Sequence, residues 1–252
     1  MDTPTVEIVV CRDAADLAAR AAERFAELAD EAAAEYCSLS VALAGGSTPK
    51  ALYDLLAAPP YHGRINWPLV HCFFGDERLV PPTDKDSNYG MAHATLLSRV
   101  PIPEANIHRL PTEDADADAA ARAAEEDLRA HFNPAPGALP RFDLVLLGLG
   151  DDGHTASLFP GQPAVEEETR LVVPTPPGRL PPPVDRLTLT LPVINAAAHV
   201  IFLVAGAGKA AAVRQVLAPE PDGALLPAAR VQPSNGTLTW LLDDAAATEL
   251  RQ

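Results

Sequence analysis

The chain has 252 residues, 48% hydrophobic and 21% charged, which suits a packed globular protein and is too apolar for disorder. Acidic residues outnumber basic ones 34 to 19, a formal charge of −15, so neither nucleic acid nor an anionic membrane is an expected partner. A small anionic ligand stays open, because screening acts over roughly 8 Å and a few local cations suffice to hold it.

Short apolar runs alternate with helical patterns along the chain. Val6 to Val10 reads as a strand, and Asp13 opens a helix that puts Leu17, Ala21, Phe25, Leu28 and Ala32 on one face. Ser38 to Leu43 reads as a strand, followed by a Gly-Gly turn and a helix through Leu52, Leu55 and Leu56. His71 to Phe74 is the next strand, then a helix over Ser87 to Leu97, a short strand near Ile107 and an acidic, alanine-rich helix from about Ala115 to His131. Phe142 to Leu147, FDLVLL, has no alternation and reads as a strand buried on both faces. Arg186 to Leu191 alternates, Val200 to Val204 is apolar throughout, Gly208 to Leu217 is helical, and Gly236 to Leu241 is the last strand, with a short helix after it. Pro174 to Pro183 reads as a stiff surface crossover. The alternation implies one α/β domain over residues 1–252: a doubly wound, mostly parallel sheet with helices on both faces. Ligands of such sheets lie beyond the carboxyl ends of the strands, so the segments just after strands are where chemistry is sought.

Cys11, Cys37 and Cys72 have no metal-ligand spacing and cannot all pair, which favours a reduced, cytoplasmic compartment. MDTPTVEIVV does not read as a signal peptide, and no apolar run reaches the ~18 residues of a membrane span. No metal site is expected: His62, His71, His93, His108, His131 and His199, like Lys50, read as surface or core residues.

Four segments carry candidate chemistry. AGGSTPK, Ala44 to Lys50, follows a strand and opens a helix. Gly45 and Gly46 let the backbone approach a ligand, Ser47 or Thr48 is placed to cap the helix, and the free amides favour a phosphate. Its bland alternative is a capped helix without a ligand; Walker spacing is absent. GDERLVPPTDKDSNY, Gly75 to Tyr89, reads either as a solvated turn or as a site in which Arg78 offers a cationic fork. Asp76 or Glu77 then orients that arginine or acts as acid or base, and Ser87 and Asn88 cap a helix or bind hydroxyls. GLGDDGHTASLFPG, Gly148 to Gly161, contains a literal GxGxxG at Gly148, Gly150 and Gly153. A dinucleotide reading fails because Asp151 and Asp152 occupy the pyrophosphate position, Pro160 stops the following helix, and Glu166 to Glu168 precede the next strand instead of ending it. The remaining reading is that the glycines present His154 as a general base, with Asp152 tuning it. Arg186 and Lys209, each a solvated charge if taken alone, would close a phosphate site with AGGSTPK.

Taken in order, AGGSTP, DERLVPPTDKDSN, GLGDDGHTASLFPG, RLTLTLPVINAA, VAGAGK and LPAARVQP resemble the 6-phosphogluconolactonase family over roughly Val41 to Leu242. The resemblance implies a Rossmann-like fold shared with glucosamine-6-phosphate deaminases and ribose-5-phosphate isomerases. It implies hydrolysis of 6-phospho-D-glucono-1,5-lactone to 6-phosphogluconate, the second step of the oxidative pentose phosphate pathway, with no cofactor. The implied partner is a phosphorylated sugar lactone, and the implied assembly a monomer or small homo-oligomer. By position, His154 resembles the catalytic base, Asp152 its acidic neighbour, Arg78 the arginine that stabilises charge at the lactone, and Gly45 to Thr48, Arg186 and Lys209 the phosphate contacts. Asp76 and Asn88 complete the expected substrate set. Similar proteins often carry a basic residue directly before the prolines that lead to RLTLT; here Leu180 separates Arg179 from Pro181. A deaminase on the same fold is disfavoured, since such enzymes read DEY or DEF and DGHIAFNEP. Here DER replaces the first, and Ser157, Leu158 and Phe159 leave no acid before Glu166. A non-catalytic sugar-phosphate sensor would have no need of both His154 and Arg78.

Overall fold

The computed structural model describes residues 5–35, 37–113, 116–178, 182–219 and 225–251. Nine strands are defined among them: β1 (Thr5–Cys11), β2 (Leu39–Leu43), β3 (Val70–Phe74), β4 (Asp76–Arg78), β5 (Leu144–Leu147), β6 (Val172–Thr175), β7 (Arg186–Leu189), β8 (His199–Val204) and β9 (Thr237–Asp243). The α-helices are α1 (Ala14–Ala34), α2 (Ser47–Leu56), α3 (Tyr61–Arg64), α4 (Asn88–Ala92), α5 (Ala117–Phe132), α6 (Leu191–Asn195) and α7 (Ala210–Leu217).

Six strands form one parallel sheet in the order β1-β9-β8-β5-β2-β3. Its central members, LSVAL of β2 and LVLL of β5, are buried along their whole length, as continuous apolar runs in a doubly covered sheet must be. Helix α1 starts where Asp13 accepts a hydrogen bond from the Asp16 amide at 2.8 Å, and it buries Leu17, Ala21, Phe25 and Leu28, the face its spacing predicts. From β2 the chain steps outward to β3; β5, β8 and β9 are added on the other side of β2. The order therefore reverses between β2 and β5, and at such a switch point the loops leaving the two strands part to form a crevice.

A second sheet was not anticipated. β4, β7 and β6 form an antiparallel, three-stranded sheet in the order β4-β7-β6. DER is thus a strand and not a solvated turn. RLTL, although its polar and apolar residues alternate, is buried at every residue. The expected proline-rich crossover begins inside β6, because Pro174 and Thr175 pair with Leu187 and Arg186. The strand expected near Ile107 is reduced to a single bridge with Cys72.

Candidate active site

The crevice at the β2/β5 switch point is a cleft of about 260 Å³, near the lower end of small-molecule sites. It is lined by the loop after β2 (Ala44, Gly45, Gly46), by Gly75, Asp76, Arg78 and Asn88, by the end of β5 and the residues after it to Gly150, by His154, and by Ala156, Phe159, Arg186 and Lys209. The cleft thus brings together Gly45, Gly46, Asp76, Arg78, Asn88, His154, Arg186 and Lys209 from the expected set. Ser47 is exposed and, like Thr48, lies outside the lining. Arg179 falls outside the described residues.

The loop after β2 is fixed from below by Tyr53, whose buried phenol accepts from the Ala44 amide at 3.0 Å and donates to the Ala44 carbonyl at 2.8 Å. Neither Ser47 nor Thr48 caps α2: the N-cap is Gly46, with φ 106°, and no side chain bonds there. This corrects the sequence reading and leaves the first-turn amides directed to whatever occupies the helix N-terminus. Gly45 is required for a different reason. A Cβ there would stand 1.8 Å from Asn88 Oδ1, and Asn88 is buried with its Nδ2 donating to the Asp76 carbonyl at 2.9 Å.

Strand β4 sorts its three charged residues by pleat. Asp76 and Arg78 line the cleft. Glu77 points the other way, 2% exposed, and accepts from the amides of Arg78, Asn88 and Tyr89 at 2.7, 2.8 and 2.7 Å and from the Ser87 hydroxyl at 3.1 Å. Burial raises the Glu77 carboxyl above its ordinary value, against the pull of those backbone bonds. Its role is to anchor the start of α4, and Asp76 is the acid that faces the cleft.

Across the small sheet, Arg78 pairs directly with Arg186. Like charges placed opposite one another are unfavourable, and here each Nε is also buried without a protein partner among the described residues. One further nitrogen of each donates to a carbonyl, Arg78 Nη1 to Asp86 at 2.6 Å and Arg186 Nη2 to Pro182 at 3.2 Å. Burial pushes the Arg186 guanidinium down, with Asp76 opposing that and Arg78 adding to it. A buried and a half-buried cation, each with an orphaned donor, match an anion.

His154 is held on a tight turn and not at the start of a helix; the helix expected before Pro160 does not form. Thr155 and Leu158 bridge across the turn, and Ala156, between them, takes a left-handed conformation with φ 47°. A non-glycine residue there is uncommon and clusters at functional sites. Of the three glycines in GLGDDG, two have a steric reason. A Cβ on Gly150 would lie 2.0 Å from His154 Nδ1, and Gly153 has φ 78° with Leu226 against it. Asp152 Oδ1 is 2.6 Å from His154 Nδ1 and 3.2 Å from the His154 amide. Partial burial works to raise the Asp152 carboxyl, but the bonds from the His154 ring and amide outweigh it and hold it below the ordinary carboxylate value. An ionised Asp152 accepts a hydrogen bond from Nδ1–H and so leaves Nε2 as the ring's acceptor.

Phe159, Ser157, Thr188 and Asp243 escaped the sequence reading. Phe159 packs its ring 4.7 Å from that of His154 and lies under the Arg186 guanidinium at 5.3 Å. Ser157, fully buried, donates to Asp76 Oδ2 at 2.6 Å and through its amide to Thr188 Oγ1 at 3.2 Å. The turn carrying His154 is thereby pinned to β4 and β7, the two strands that carry the arginine pair. Asp243 accepts from the Gly206 amide at 3.0 and 2.9 Å, which sets the turn bearing Lys209; Lys209 Nζ in turn lies 2.6 Å from Asp151. Only the position of Ser157 and Phe159 inside the histidine motif hinted at a role; Thr188 and Asp243 carry no local signal. Glu166, the first acid after the motif's histidine, is bound to Arg230 outside the lining, with Nη2 to Oε2 at 3.1 Å.

A parallel α/β fold with an anion-holding cleft at its switch point and a histidine–aspartate pair on one wall defines a sugar-phosphate-handling class of protein. The family model described as glucosamine-6-phosphate isomerases/6-phosphogluconolactonase matches residues 12–240, and the chain belongs to that family. It is 44% identical to a 6-phosphogluconolactonase of Nostoc sp. over 246 residues, 98% of each chain. The structure of 6-phosphogluconolactonase from Trypanosoma cruzi superposes with a TM-score of 0.88 at 33% identity, covering 100% of this chain and 99% of that one. A monomeric glucosamine-6-phosphate deaminase superposes at 0.80 with 20% identity, over 96% of this chain and 99% of that one, which shows the shared fold.

Proposed function

We propose that the chain hydrolyses 6-phospho-D-glucono-1,5-lactone to 6-phosphogluconate. The observation that carries this reading is the placement of two opposed arginines with orphaned Nε atoms on the same cleft as an aspartate-oriented histidine. The cleft joins an anion holder to a general base, and the phosphorylated lactone needs both. The relatives named 6-phosphogluconolactonase support the same substrate.

The 6-phosphate is held by the first-turn amides of α2, Arg186 and Lys209, and this remote binding places C1 of the lactone near His154. To take part, Lys209 exchanges its bond with Asp151 for the phosphate. His154 Nε2 removes a proton from water, which attacks C1. Arg78 stabilises the oxyanion of the tetrahedral intermediate. The histidine then returns the proton to the departing ring oxygen, while Asp152 holds the imidazolium through Nδ1.

No acid stands in the loop between His154 and Glu166, where Phe159 packs on the histidine ring instead, and this speaks against a deaminase. The test is a lactonase assay with freshly prepared lactone against the spontaneous rate, run beside release of ammonia from glucosamine 6-phosphate. Enzyme-dependent lactone loss without ammonia is expected. No acceleration over the spontaneous rate would overturn the reading.

A further inference from the structure

Away from the cleft, three histidines that looked unrelated in sequence come together. His71 lies on β3, His108 follows the bridge between Ile107 and Cys72, and His131 is in the last turn of α5. One ring nitrogen from each lies within 4.8 Å of the other two. His71 Nδ1 and His108 Nε2 are 3.2 Å apart. His108 turns its other nitrogen to Asp127, with Nδ1 at 2.9 Å from Oδ2 and 3.1 Å from Oδ1. The His108 amide donates to the Cys72 carbonyl at 2.8 Å, and Phe73 stacks on the His108 ring at 4.1 Å and 6°. None of these residues lines the cleft.

We propose that His71, His108 and His131 are the ligands of a zinc-class divalent metal ion, with Asp127 as the carboxylate that orients His108.

Two ring nitrogens facing each other at 3.2 Å must share one proton, and a metal ion replaces that proton, which leaves to solvent. Zinc–nitrogen bonds of about 2.0–2.1 Å in a tetrahedral site put ligand nitrogens roughly 3.3 Å apart, the spacing His71 and His108 already have. His131 closes on them by a side-chain adjustment at the end of its helix. Asp127 accepts a hydrogen bond from the Nδ1–H of His108 and so leaves Nε2 as a lone-pair donor; this is the outer carboxylate that metal-bound histidines commonly carry. A set of three imidazoles suits zinc, cobalt, nickel or copper and is wrong for magnesium and calcium, which take oxygen ligands. Water fills the fourth position. Because the ligands come from β3, the segment after its bridge and α5, the ion ties that helix to the edge of the sheet. Its role is to stabilise the fold, apart from turnover.

The test titrates zinc chloride into the full chain after chelator treatment, followed by calorimetry and thermal melting, with cobalt(II) as a spectroscopic probe. One zinc per chain at micromolar protein, a raised Tm, and the visible absorption of tetrahedral cobalt are expected. His131→Gln and His108→Gln should each abolish the cobalt spectrum and weaken zinc at least about 10-fold, and Asp127→Asn should weaken it about 10–100-fold. His154→Ala should leave zinc binding intact, and His131→Gln should leave lactone turnover intact; circular dichroism of each variant checks folding. No zinc binding by the parent chain would overturn the proposal. So would binding that survives in the folded His108 and His131 variants, or binding that is lost in His154→Ala instead.

Discussion

The parallel sheet and the small antiparallel sheet both reach the cleft, and they bring different things to it. The parallel sheet ends in loops: the Gly45–Gly46 turn, the turn of His154 and the turn of Lys209 all leave its carboxyl edge. What it supplies depends on where strands stop and on which backbone conformations the loops accept. The small sheet supplies long side chains from within its strands, and register fixes their spacing: Arg78 faces Arg186, with Cα atoms about 5 Å apart, as in any antiparallel pair. The proton-transferring group and the helix amides therefore come from one sheet and the concentrated positive charge from the other. Ser157 couples the two through Asp76 and Thr188. A net charge of −15 is no obstacle to an anionic substrate when the cations are held by register at one point.

That division can be broken from either side. The largest effect is expected for His154→Ala, on the parallel-sheet side. Turnover should fall about 10²–10⁴-fold with KM nearly unchanged, measured with fresh lactone after subtracting the spontaneous rate. A rise in KM matching the loss would mean that His154 binds substrate and that the separation is wrong.

On the small-sheet side, Arg186→Gln should raise KM about 10–100-fold, since a hydrogen bond to a charged group contributes ~1.5–3 kcal/mol. Its Tm should hold or rise, because the substitution removes a cross-strand repulsion and a buried charge. Binding of 6-phosphogluconate by calorimetry and a thermal melt read both quantities. A lower Tm with unchanged affinity would make the arginine pair a structural feature.

Gly45→Ala tests whether the loop's close approach is needed. Asn88 must move to admit the new methyl group, at about 1–3 kcal/mol of stability, or roughly 2–12 °C in Tm. Gly148→Ala is the matched control: its Cβ meets nothing within 4 Å, so its Tm should stay within about a degree. Equal melting of the two variants would remove the steric argument.

The smallest effect concerns the histidines on the edge of the parallel sheet. Burial, with His131 and His108 adding to it, lowers His71 to about 4, below its ordinary ~6.5. The fold thus favours the neutral ring. This contribution to stability is complete above pH ~6.5 and is lost as pH falls toward 4. Burial lowers His131 as well, and the Asp127 carboxylate and Asp143 face the same group. Metal-free melts between pH 7 and 4 should show the decline, and His71→Phe should flatten it; an unaltered slope would assign the decline to other groups.

Much of this was legible in the sequence because it is local. Leu17, Ala21, Phe25 and Leu28 announce α1 by spacing, and FDLVLL announces a doubly buried strand by its lack of alternation. Asp152 and His154 are two residues apart, so their contact needs only a turn. Other parts failed for equally definite reasons. Ser47 resembled a cap, but Gly46 already satisfies the geometry with a left-handed φ. DER is three residues long, too short for periodicity to separate a strand from a turn.

By itself, then, the sequence determined the parallel α/β order, the loops that end at the switch point and the histidine with its aspartate, since each depends on residues close along the chain. Only the tertiary structure decided the second sheet, the opposition of Arg78 to Arg186, the placement of Phe159 between His154 and Arg186, and the meeting of His71, His108 and His131. Those contacts join segments far apart in the chain, and their geometry comes from strand register and packing, which no local pattern encodes.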